Sequence, residues 1–291
     1  MKIAVVVATL GRPVESGELA ADLAGQSRPP EEVVFCVTDL TDAPLGLAHA
    51  GMRTILCERK GSCAQRNIGI DAVIGAHDVI VFMDDDFVPA PDFFERLEQI
   101  MRDTPDAVGM TGQILADGVT GPGLSREEAL AFIRNDAAAR NSGVPGIRPR
   151  LGLYGCNMAV RSSALGDLRF DERLPLYGWL EDLDLSTRLA RRGGLYHVPA
   201  LRGVHRGVKR GRTSGIRFGY SQIANPLYLL VRGRVPVHYA FANITRNLAA
   251  NLLLVSKPEP WVDRKGRLKG NGLAAWDLVR GRLKPERILE L

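Results

Sequence analysis

The chain has 291 residues, of which 45% are hydrophobic and 24% are charged, and such a chain can bury a full core. Its four cysteines include no CxxC pair, which argues against a zinc site or a disulfide framework. Charge is uneven: residues 1–200 carry 20 Lys and Arg against 28 Asp and Glu, and residues 201–291 carry 18 against 5. The basic last third indicates a polyanionic partner or packing against the acidic front.

No segment predicts a membrane anchor or a secretion signal. The apolar run 3–10 is too short to span a bilayer and no cleavage site follows it. The apolar stretch 235–255 is interrupted by polar side chains. Reduced thiols and the missing signal favour a cytoplasmic protein. Because no nucleic-acid fold signature is present, nucleic acid is not an expected partner.

The first half of the chain alternates apolar runs with helical patterns. Strands are predicted at Ile3–Ala8, Val33–Val37, Val79–Met83 and Ala107–Met110. Helices are predicted at about 15–25, 61–75 and 91–101. Strands that are separated by helices favour a mostly parallel sheet in a three-layer α/β architecture.

The second half is less regular. Residues 117–150 are rich in Gly, Pro, Arg and Asn, with a helix near 126–140, and are interpreted as a mobile insertion over the edge of the sheet. Strands follow near 157–160 and 195–198, with a helix at about 180–191 between them. The tail is predicted to hold helices at about 217–231, 237–254 and 274–280.

Three consecutive aspartates, Asp84, Asp85 and Asp86, follow the third predicted strand. Carboxylates this close repel one another, so they are tolerated mainly where water or a divalent cation neutralises them. In open α/β sheets, the carboxyl ends of strands are also where ligands bind. The triplet therefore indicates either a cation site or a solvated turn before the next helix.

Polar residues also follow the first two strands. Thr9 and Arg12 come after the first strand, and Asp39 comes after the second. The carboxyl ends of parallel strands face one crevice, so these side chains are expected to meet the triplet. Arg66 falls in the first turns of a helix that Gly61 opens, where it suits a phosphate or, alternatively, a surface ion pair.

A second acidic cluster opens the helix predicted from residue 180. Glu181, Asp182 and Asp184 lie in its first turn, where carboxylates often simply complement the helix dipole. Trp179 precedes them, and a flat ring beside a carboxylate can hold a sugar, although tryptophan is more often core. The helix N-terminus is expected to lower the pKa of such a carboxylate, an effect that burial against Trp179 would offset.

Together, these motifs resemble glycosyltransferase family 2, the inverting nucleotide-sugar transferases of the GT-A fold. The similar segments are 5–13, 61–69, 82–86, 155–159 and 170–185, and His205 follows the last strand. They cover residues 1–205 in the order that the family shows. The sequence has no Gln-x-x-Arg-Trp motif, which marks the processive polymer synthases of the family, so the resemblance implies transfer of a single sugar.

The resemblance implies roles for these residues. The residues expected to bind the nucleotide are Thr9, Arg12, Asp39, Arg66, Asp84 and Asp85. The residues expected to bind Mn²⁺ or Mg²⁺ are Asp84, Asp86 and His205. Asp182 is expected to be the catalytic base, with Glu181 orienting the acceptor or the helix. The residues expected to bind the acceptor are Asn157, Trp179 and Glu181.

The resemblance also implies the architecture. Residues 1–205 are expected to form the GT-A catalytic domain, a Rossmann-like three-layer α/β/α sandwich with a mixed, mostly parallel sheet. Its nucleotide-binding half is placed at 1–110 and its acceptor-binding half at 111–205. Residues 206–291 are expected to form a basic helical C-terminal extension.

The expected function is metal-dependent, inverting transfer of one sugar from a nucleotide-diphosphate sugar, with a UDP-sugar as the expected donor. The expected acceptor is a saccharide or a lipid-linked glycan, in cell-surface polysaccharide or glycolipid synthesis. The basic tail adds the expectation of a peripheral position on an anionic membrane, at its inner face.

Two alternatives stay open. One is a nucleotidyltransferase that makes the activated sugar, for which the segment 9–13 is short as a triphosphate loop. The other is a non-catalytic module that binds sugar nucleotides.

Overall fold

The computed structural model describes residues 1–46, 50–136, 146–210 and 214–291. Its strands are β1 (Ile3–Ala8), β2 (Glu32–Val37), β3 (Met52–Leu56), β4 (Val79–Asp84), β5 (Phe87–Pro89), β6 (Ala107–Asp117), β7 (Arg148–Pro149), β8 (Asn157–Arg161) and β9 (Gly194–His205). Its α-helices are α1 (Pro13–Ala24), α2 (Ser62–Val73), α3 (Phe93–Asp103), α4 (Arg126–Asn135), α5 (Ser162–Leu165), α6 (Glu181–Leu189), α7 (Gly215–Val231), α8 (Val237–Leu254) and α9 (Arg264–Val279). Short 3₁₀ helices cover Leu40–Asp42 and Pro285–Glu290.

Across the described ranges, the strands form one mixed sheet in the order β3-β2-β1-β4-β8-β6-β9-β5, with β7 paired to β9. Strands β3, β2, β1 and β4 run parallel to one another. Strand β8 is antiparallel to both β4 and β6, and β6 is parallel to β9. The predicted mixed, mostly parallel sheet is therefore confirmed.

The sheet is covered on both faces, as its central strand β1 demonstrates. Its residues Ile3, Val5 and Val7 pack with apolar side chains of α1 and α3. The alternating Ala4 and Val6 belong to a second cluster that includes residues of α2 and α6. Because side chains of a strand alternate between its faces, these two clusters are the two cores of the predicted three-layer sandwich.

The strand register places the site at the carboxyl edge of β1 and β4. Ala8 pairs with Asp84, so the residues after both strands emerge side by side. His205, the last residue of β9, pairs with Phe87 of β5 on one side and with Asp117 of β6 on the other. The aspartate triplet, Asp117 and His205 therefore meet although they lie far apart in the sequence.

Several elements extend beyond their predicted bounds. Strands β6 and β9 continue to residues 117 and 205, and two of the three register shifts between them fall after Met110, where the predicted apolar run of β6 ends. Strands β3, β5 and β7 were not predicted, because they are short and lack a clear apolar alternation. Helix α4 begins at Arg126 as predicted, and its predicted end at residue 140 lies outside the described residues.

The C-terminal helices α7, α8 and α9 pack against the sheet domain and against one another. Leu229, Val235 and Ala240 join the same core cluster as residues of α2 and β4. A separate cluster, centred on Tyr220 and Ala274, holds α7 to α9. The predicted boundary at 205/206 remains a prediction, and the helical character of the extension is as expected.

Candidate active site

A cavity of about 860 Å³ opens at the carboxyl edge of the sheet. Thr9, Arg12 and Asp84 line it from the strand ends, and Glu181 and Asp182 line it from the start of α6. Further lining residues from the insertion and the extension are Pro149, Arg150, Leu151, Ser214, Arg217 and Tyr239. The two acidic clusters singled out in the sequence thus share one cavity.

Asp84, Asp86 and His205 form the candidate metal group, with one ligand atom of each within 4.8 Å of the others. The Nε2 atom of His205 lies 3.3 Å from Asp86 Oδ1 and 3.6 Å from Asp84 Oδ2. Asp86 Oδ1 is buried and makes no hydrogen bond of good geometry with any described residue. Two carboxylates and an imidazole suit Mn²⁺, so the donor set fits the expected cation.

His205 is held from its other side by Asp117. The Nδ1 atom of His205 lies 3.2 Å from Asp117 Oδ1, while the Tyr154 hydroxyl donates to Asp117 Oδ2 at 2.9 Å. A carboxylate on the far nitrogen fixes the tautomer and the orientation of a ligating imidazole. Neither Asp117 nor Tyr154 was singled out in the sequence, because β6 was predicted to end at Met110 and its true end at Asp117 was missed.

Asp85 points to a different environment from its neighbours. Its Oδ2 accepts from the Thr9 hydroxyl at 2.7 Å, and its Oδ1 accepts from Arg12 Nη1 at 2.7 Å. Arg12 also donates to the backbone carbonyls of Val208 and Arg210. Arg12 therefore links the triplet to the segment after β9, and both Thr9 and Arg12 line the cavity where a nucleotide is expected.

Arg66 bridges the two acidic clusters. Its guanidinium donates to Asp84 Oδ1 at 2.8 Å and to Glu181 Oε1 at 2.7 Å. The side chain is 4% exposed and also packs over the ring of Phe170. Burial opposes the charge of Arg66, but the carboxylates of Glu181 and Asp84 outweigh burial and raise its pKa, so Arg66 carries a permanent buried charge. The surface ion pair weighed as an alternative is thereby excluded.

Glu181 and Asp182 begin α6 and face the cavity. The Oδ2 atom of Asp182 accepts from the backbone N–H of Gly155 at 3.0 Å. Burial, followed by the charge of Asp182, raises the pKa of Glu181 to about 8, against the opposing effect of Arg66. Burial also raises the pKa of Asp182, so desolvation outweighs the lowering that the helix N-terminus was expected to cause.

Trp179 lies at the cavity wall, between two residues with strained backbone. Leu176 and Leu180 have φ angles of 59° and 75°, in the left-handed region that non-glycine residues rarely adopt. The Trp179 ring packs against Phe218 of α7. The backbone carbonyl of Trp179 accepts a hydrogen bond from the side-chain amide of Asn225. The extension therefore helps to position this residue, and backbone strain of this kind is concentrated at functional sites.

Three predicted site residues do not line the described cavity: Asp86, which is buried beside His205, Asp39 and Asn157. Asp39 is exposed after β2, where its carboxylate accepts from the backbone N–H and the hydroxyl of Thr41. Asn157 is buried within β8, and its Oδ1 accepts from the Thr111 hydroxyl at 2.6 Å. Roles for Asp39 and Asn157 at the nucleotide and the acceptor remain predictions.

Comparison with known proteins agrees with this architecture. The model of the family described as glycosyl transferase family 2 matches residues 5–165. No curated protein matches the sequence.

Three solved structures are similar in fold. Mannosyltransferase PcManGT from Pyrobaculum calidifontis, in complex with GDP-Man and Mn²⁺, has a TM-score of 0.56 at 16% identity, with 99% of this chain and 85% of that chain covered. GalNAc-T7 with UDP, GalNAc and Mn²⁺ has a TM-score of 0.53 at 16% identity, with 97% and 59% covered.

S. aureus TarS has a TM-score of 0.52 at 16% identity, with 99% of this chain but only 55% of TarS covered. At such identities the likeness establishes the fold, and the family match spans more than half of the chain. This chain belongs to glycosyl transferase family 2.

Proposed function

We propose that the protein is a metal-dependent, inverting glycosyltransferase that moves one sugar from a nucleotide-diphosphate sugar to an acceptor hydroxyl. The observation that supports this most is the shared cavity: Asp84 and His205 of the metal-binding group line it together with the half-buried carboxylates of Glu181 and Asp182, and Arg66 joins Asp84 to Glu181. The structures of similar fold that are bound to GDP-Man or UDP with Mn²⁺ are consistent with such a donor.

On the donor side, Asp84, Asp86 and His205 would hold the cation. When bound, the cation would neutralise the charge that develops on the leaving diphosphate. Asp117 would keep the His205 imidazole oriented, and Arg12 would keep Asp85 turned away from the cation. We propose a UDP-sugar as the donor, with Thr9, Arg12 and Arg66 at the nucleotide end.

On the acceptor side, Asp182 would act as the base. Its carboxylate would take the proton of the acceptor hydroxyl while the hydroxyl oxygen attacks the anomeric carbon, as the bond from that carbon to the diphosphate oxygen breaks. Attack opposite the leaving group inverts the configuration. The raised pKa of Asp182 makes it a stronger base than an exposed aspartate. Trp179 would provide a flat wall for the acceptor sugar.

A donor panel tests this proposal. The protein is mixed with UDP-, GDP- and dTDP-sugars and with Mn²⁺ or Mg²⁺, and thermal stabilisation and donor hydrolysis are measured. We expect metal-dependent stabilisation by one nucleotide class and slow hydrolysis of its sugar, followed by NMR evidence of an inverted anomer on a saccharide or lipid-linked acceptor.

Two results would contradict the proposal. Release of pyrophosphate from a nucleoside triphosphate and a sugar phosphate would instead identify a nucleotidyltransferase. Metal-dependent binding without turnover of any donor, across saccharide and lipid-linked acceptors, would favour a binding module.

A further inference from the structure

Helix α8 exposes an apolar face to solvent. Val237, Phe241, Leu252 and Leu253 are 60%, 51%, 56% and 77% exposed. At 3.6 residues per turn they spread over about 160° of the helix circumference, the half that faces solvent, and we call these four residues the outer α8 stripe. The opposite side carries the residues that contact the protein, among them Ala240, Asn243 and Asn251, which are buried. The stripe is therefore not used for folding within the described chain.

Further exposed apolar side chains occur on the neighbouring helices. Val231 at the end of α7 is 85% exposed, and Trp276 and Val279 on α9 are 54% and 82% exposed. The guanidinium of Arg280 lies 4.2 Å from the centre of the Trp276 ring. An exposed tryptophan that stacks with a cation is typical of side chains at a membrane–water interface.

Along the chain, the charge of α8 and its flanks is of one sign, and the first acidic residue after α8, Glu259, is paired with Arg264. Residues 185–258 contain no Asp or Glu, although the whole chain has 33 of them. Arg232 and Lys257 flank α8, and Arg246 lies within it, all three exposed. A surface that combines exposed apolar side chains with unopposed positive charge is complementary to an apolar layer with negative head groups.

A second copy of the chain is a poorer fit to this face. Two α8 faces in contact would bring positive charges together with no acidic side chain on either helix to compensate for them. No helix among the described residues is long and apolar enough to cross a bilayer. The contact that remains is one in which a helix lies along the membrane surface.

We propose that α8 docks on an anionic lipid bilayer through its outer stripe, with the flanking cations at the head groups. Tyr239 of the same helix lines the cavity, so docking would bring the cavity close to the lipid surface. If the transferase function holds, the acceptor class that this arrangement favours is a sugar or phosphate carried on a lipid.

Co-sedimentation with vesicles tests the docking surface. Vesicles of phosphatidylcholine alone, or mixed with phosphatidylglycerol, are incubated with the wild type, with Phe241→Ser/Leu253→Ser, and with Leu40→Ser/Leu56→Ser as the matched control. Leu40 and Leu56 are 65% and 58% exposed but lie outside the extension. We expect the wild type and the control to bind the anionic vesicles, more weakly at high salt, and the α8 variant to bind about tenfold more weakly.

Since both stripe residues are exposed, Phe241→Ser/Leu253→Ser should unfold at the same temperature as the wild type, which separates lost docking from lost folding. Absence of wild-type binding to anionic vesicles, or equal binding by the variant, would overturn the proposal. So would a wild-type dimer that the variant converts to monomer, since this would assign the stripe to a second copy. Donor hydrolysis measured without vesicles reports on the transferase function independently.

Discussion

Asp84, Asp85 and Asp86 are consecutive in the sequence, yet the hydrogen bonds that hold each of them come from different residues. Asp85 is held by Thr9 and Arg12, whereas Asp84 binds Arg66 and Asp86 accepts from the backbone N–H of Val208. The partners come from distant parts of the chain, so the sequence could indicate the cation site but not the division of roles. Repulsion between the three carboxylates is relieved by several positively charged or donor groups, among which Arg12 lies near both Asp85 and Asp86.

Asp182→Asn should abolish sugar transfer and leave metal-dependent nucleotide binding intact. The amide retains the size of the side chain but cannot take a proton, so we expect kcat to fall by about 10²–10⁴-fold. Steady-state kinetics gives the loss, and calorimetric titration of the nucleotide with Mn²⁺ gives the binding. Turnover near the wild-type rate in this variant would remove Asp182 from the role of base.

Sugar transfer should decline as the pH is lowered. The decline should begin at a higher pH than it would if the base were an aspartate of ordinary pKa. Burial raises the pKa of Asp182, so its protonated, inactive form persists to higher pH and activity returns as the pH rises through that pKa. The kcat at saturating donor and metal, measured from about pH 4 to 9, should show a midpoint above the usual aspartate value of about 3.9. A midpoint at or below that value would contradict this assignment.

Asp117→Asn should weaken Mn²⁺ binding without altering the ligand set itself. The amide cannot supply the negative charge that orients the His205 imidazole at Nδ1, and the loss of such a partner costs about 10–100-fold in metal affinity. Electron paramagnetic resonance of free Mn²⁺ measures the affinity directly. Asp103→Asn, an exposed position at the end of α3, is the control, and unchanged affinity in Asp117→Asn would refute the positioning role.

At the scale of elements, two glycines permit the close approach of α7 and α9. A Cβ at Gly219 would lie 2.1 Å from the Arg267 carbonyl oxygen, and a Cβ at Gly270 would lie 2.0 Å from that of Ile216. Both atoms are backbone, which cannot move aside without separating the helices. Helix α7 also carries Phe218, which packs against the Trp179 ring at the cavity wall. The contact between α7 and α9 therefore supports the packing of the extension against Trp179.

Gly270→Ala should therefore destabilise the protein by at least ~1–3 kcal/mol, because the added methyl group overpacks the contact. Gly272→Ala is a matched control in the same helix, since a Cβ there has no neighbour within 4 Å. Higher helix propensity should make the control neutral or more stable by roughly 0.5–1 kcal/mol. Urea unfolding measures the free energy of unfolding of both variants. Equal stability of Gly270→Ala and Gly272→Ala would disprove the packing argument.

Long regular elements were predictable, and irregular ones were not. Strands β1, β2 and β4 and helices α1, α2 and α8 follow an apolar period that local sequence encodes. The second halves of β6 and β9 lack that period and owe their conformation to pairing with each other across register shifts. This is why Asp117 was not predicted as a site residue. Like Asp84, it is a carboxylate at the carboxyl end of a strand, but the end of β6 could not be located from the sequence.

At the scale of the molecule, the extension completes the core of the sheet domain. Leu229, Val235 and Ala240 are buried against it, and Arg217 and Tyr239 line the cavity. The sequence indicated helices in this region but could not show which face of each would be covered. Contacts between segments so far apart depend on the whole fold, and no local pattern reports them.

A chain that ends at residue 205 should not fold independently. Each large apolar side chain removed from the core costs about 1.5–3 kcal/mol, against a total stability of roughly 5–15 kcal/mol. Calorimetry should show one cooperative transition for the full chain and none for residues 1–205. A fragment with the melting temperature of the full chain would instead establish the predicted boundary at 205/206 as a true domain border.

Arg66 carries one positive charge that Asp84 and Glu181 share. A cation that arrived with the donor would compete for Asp84, which would leave the guanidinium more fully engaged with Glu181. The proposed acceptor side of the cavity would then be electrostatically prepared only after the donor had entered. Compulsory-order kinetics, with the nucleotide sugar first on and the nucleotide last off, is the pattern that this shared arginine leads us to expect.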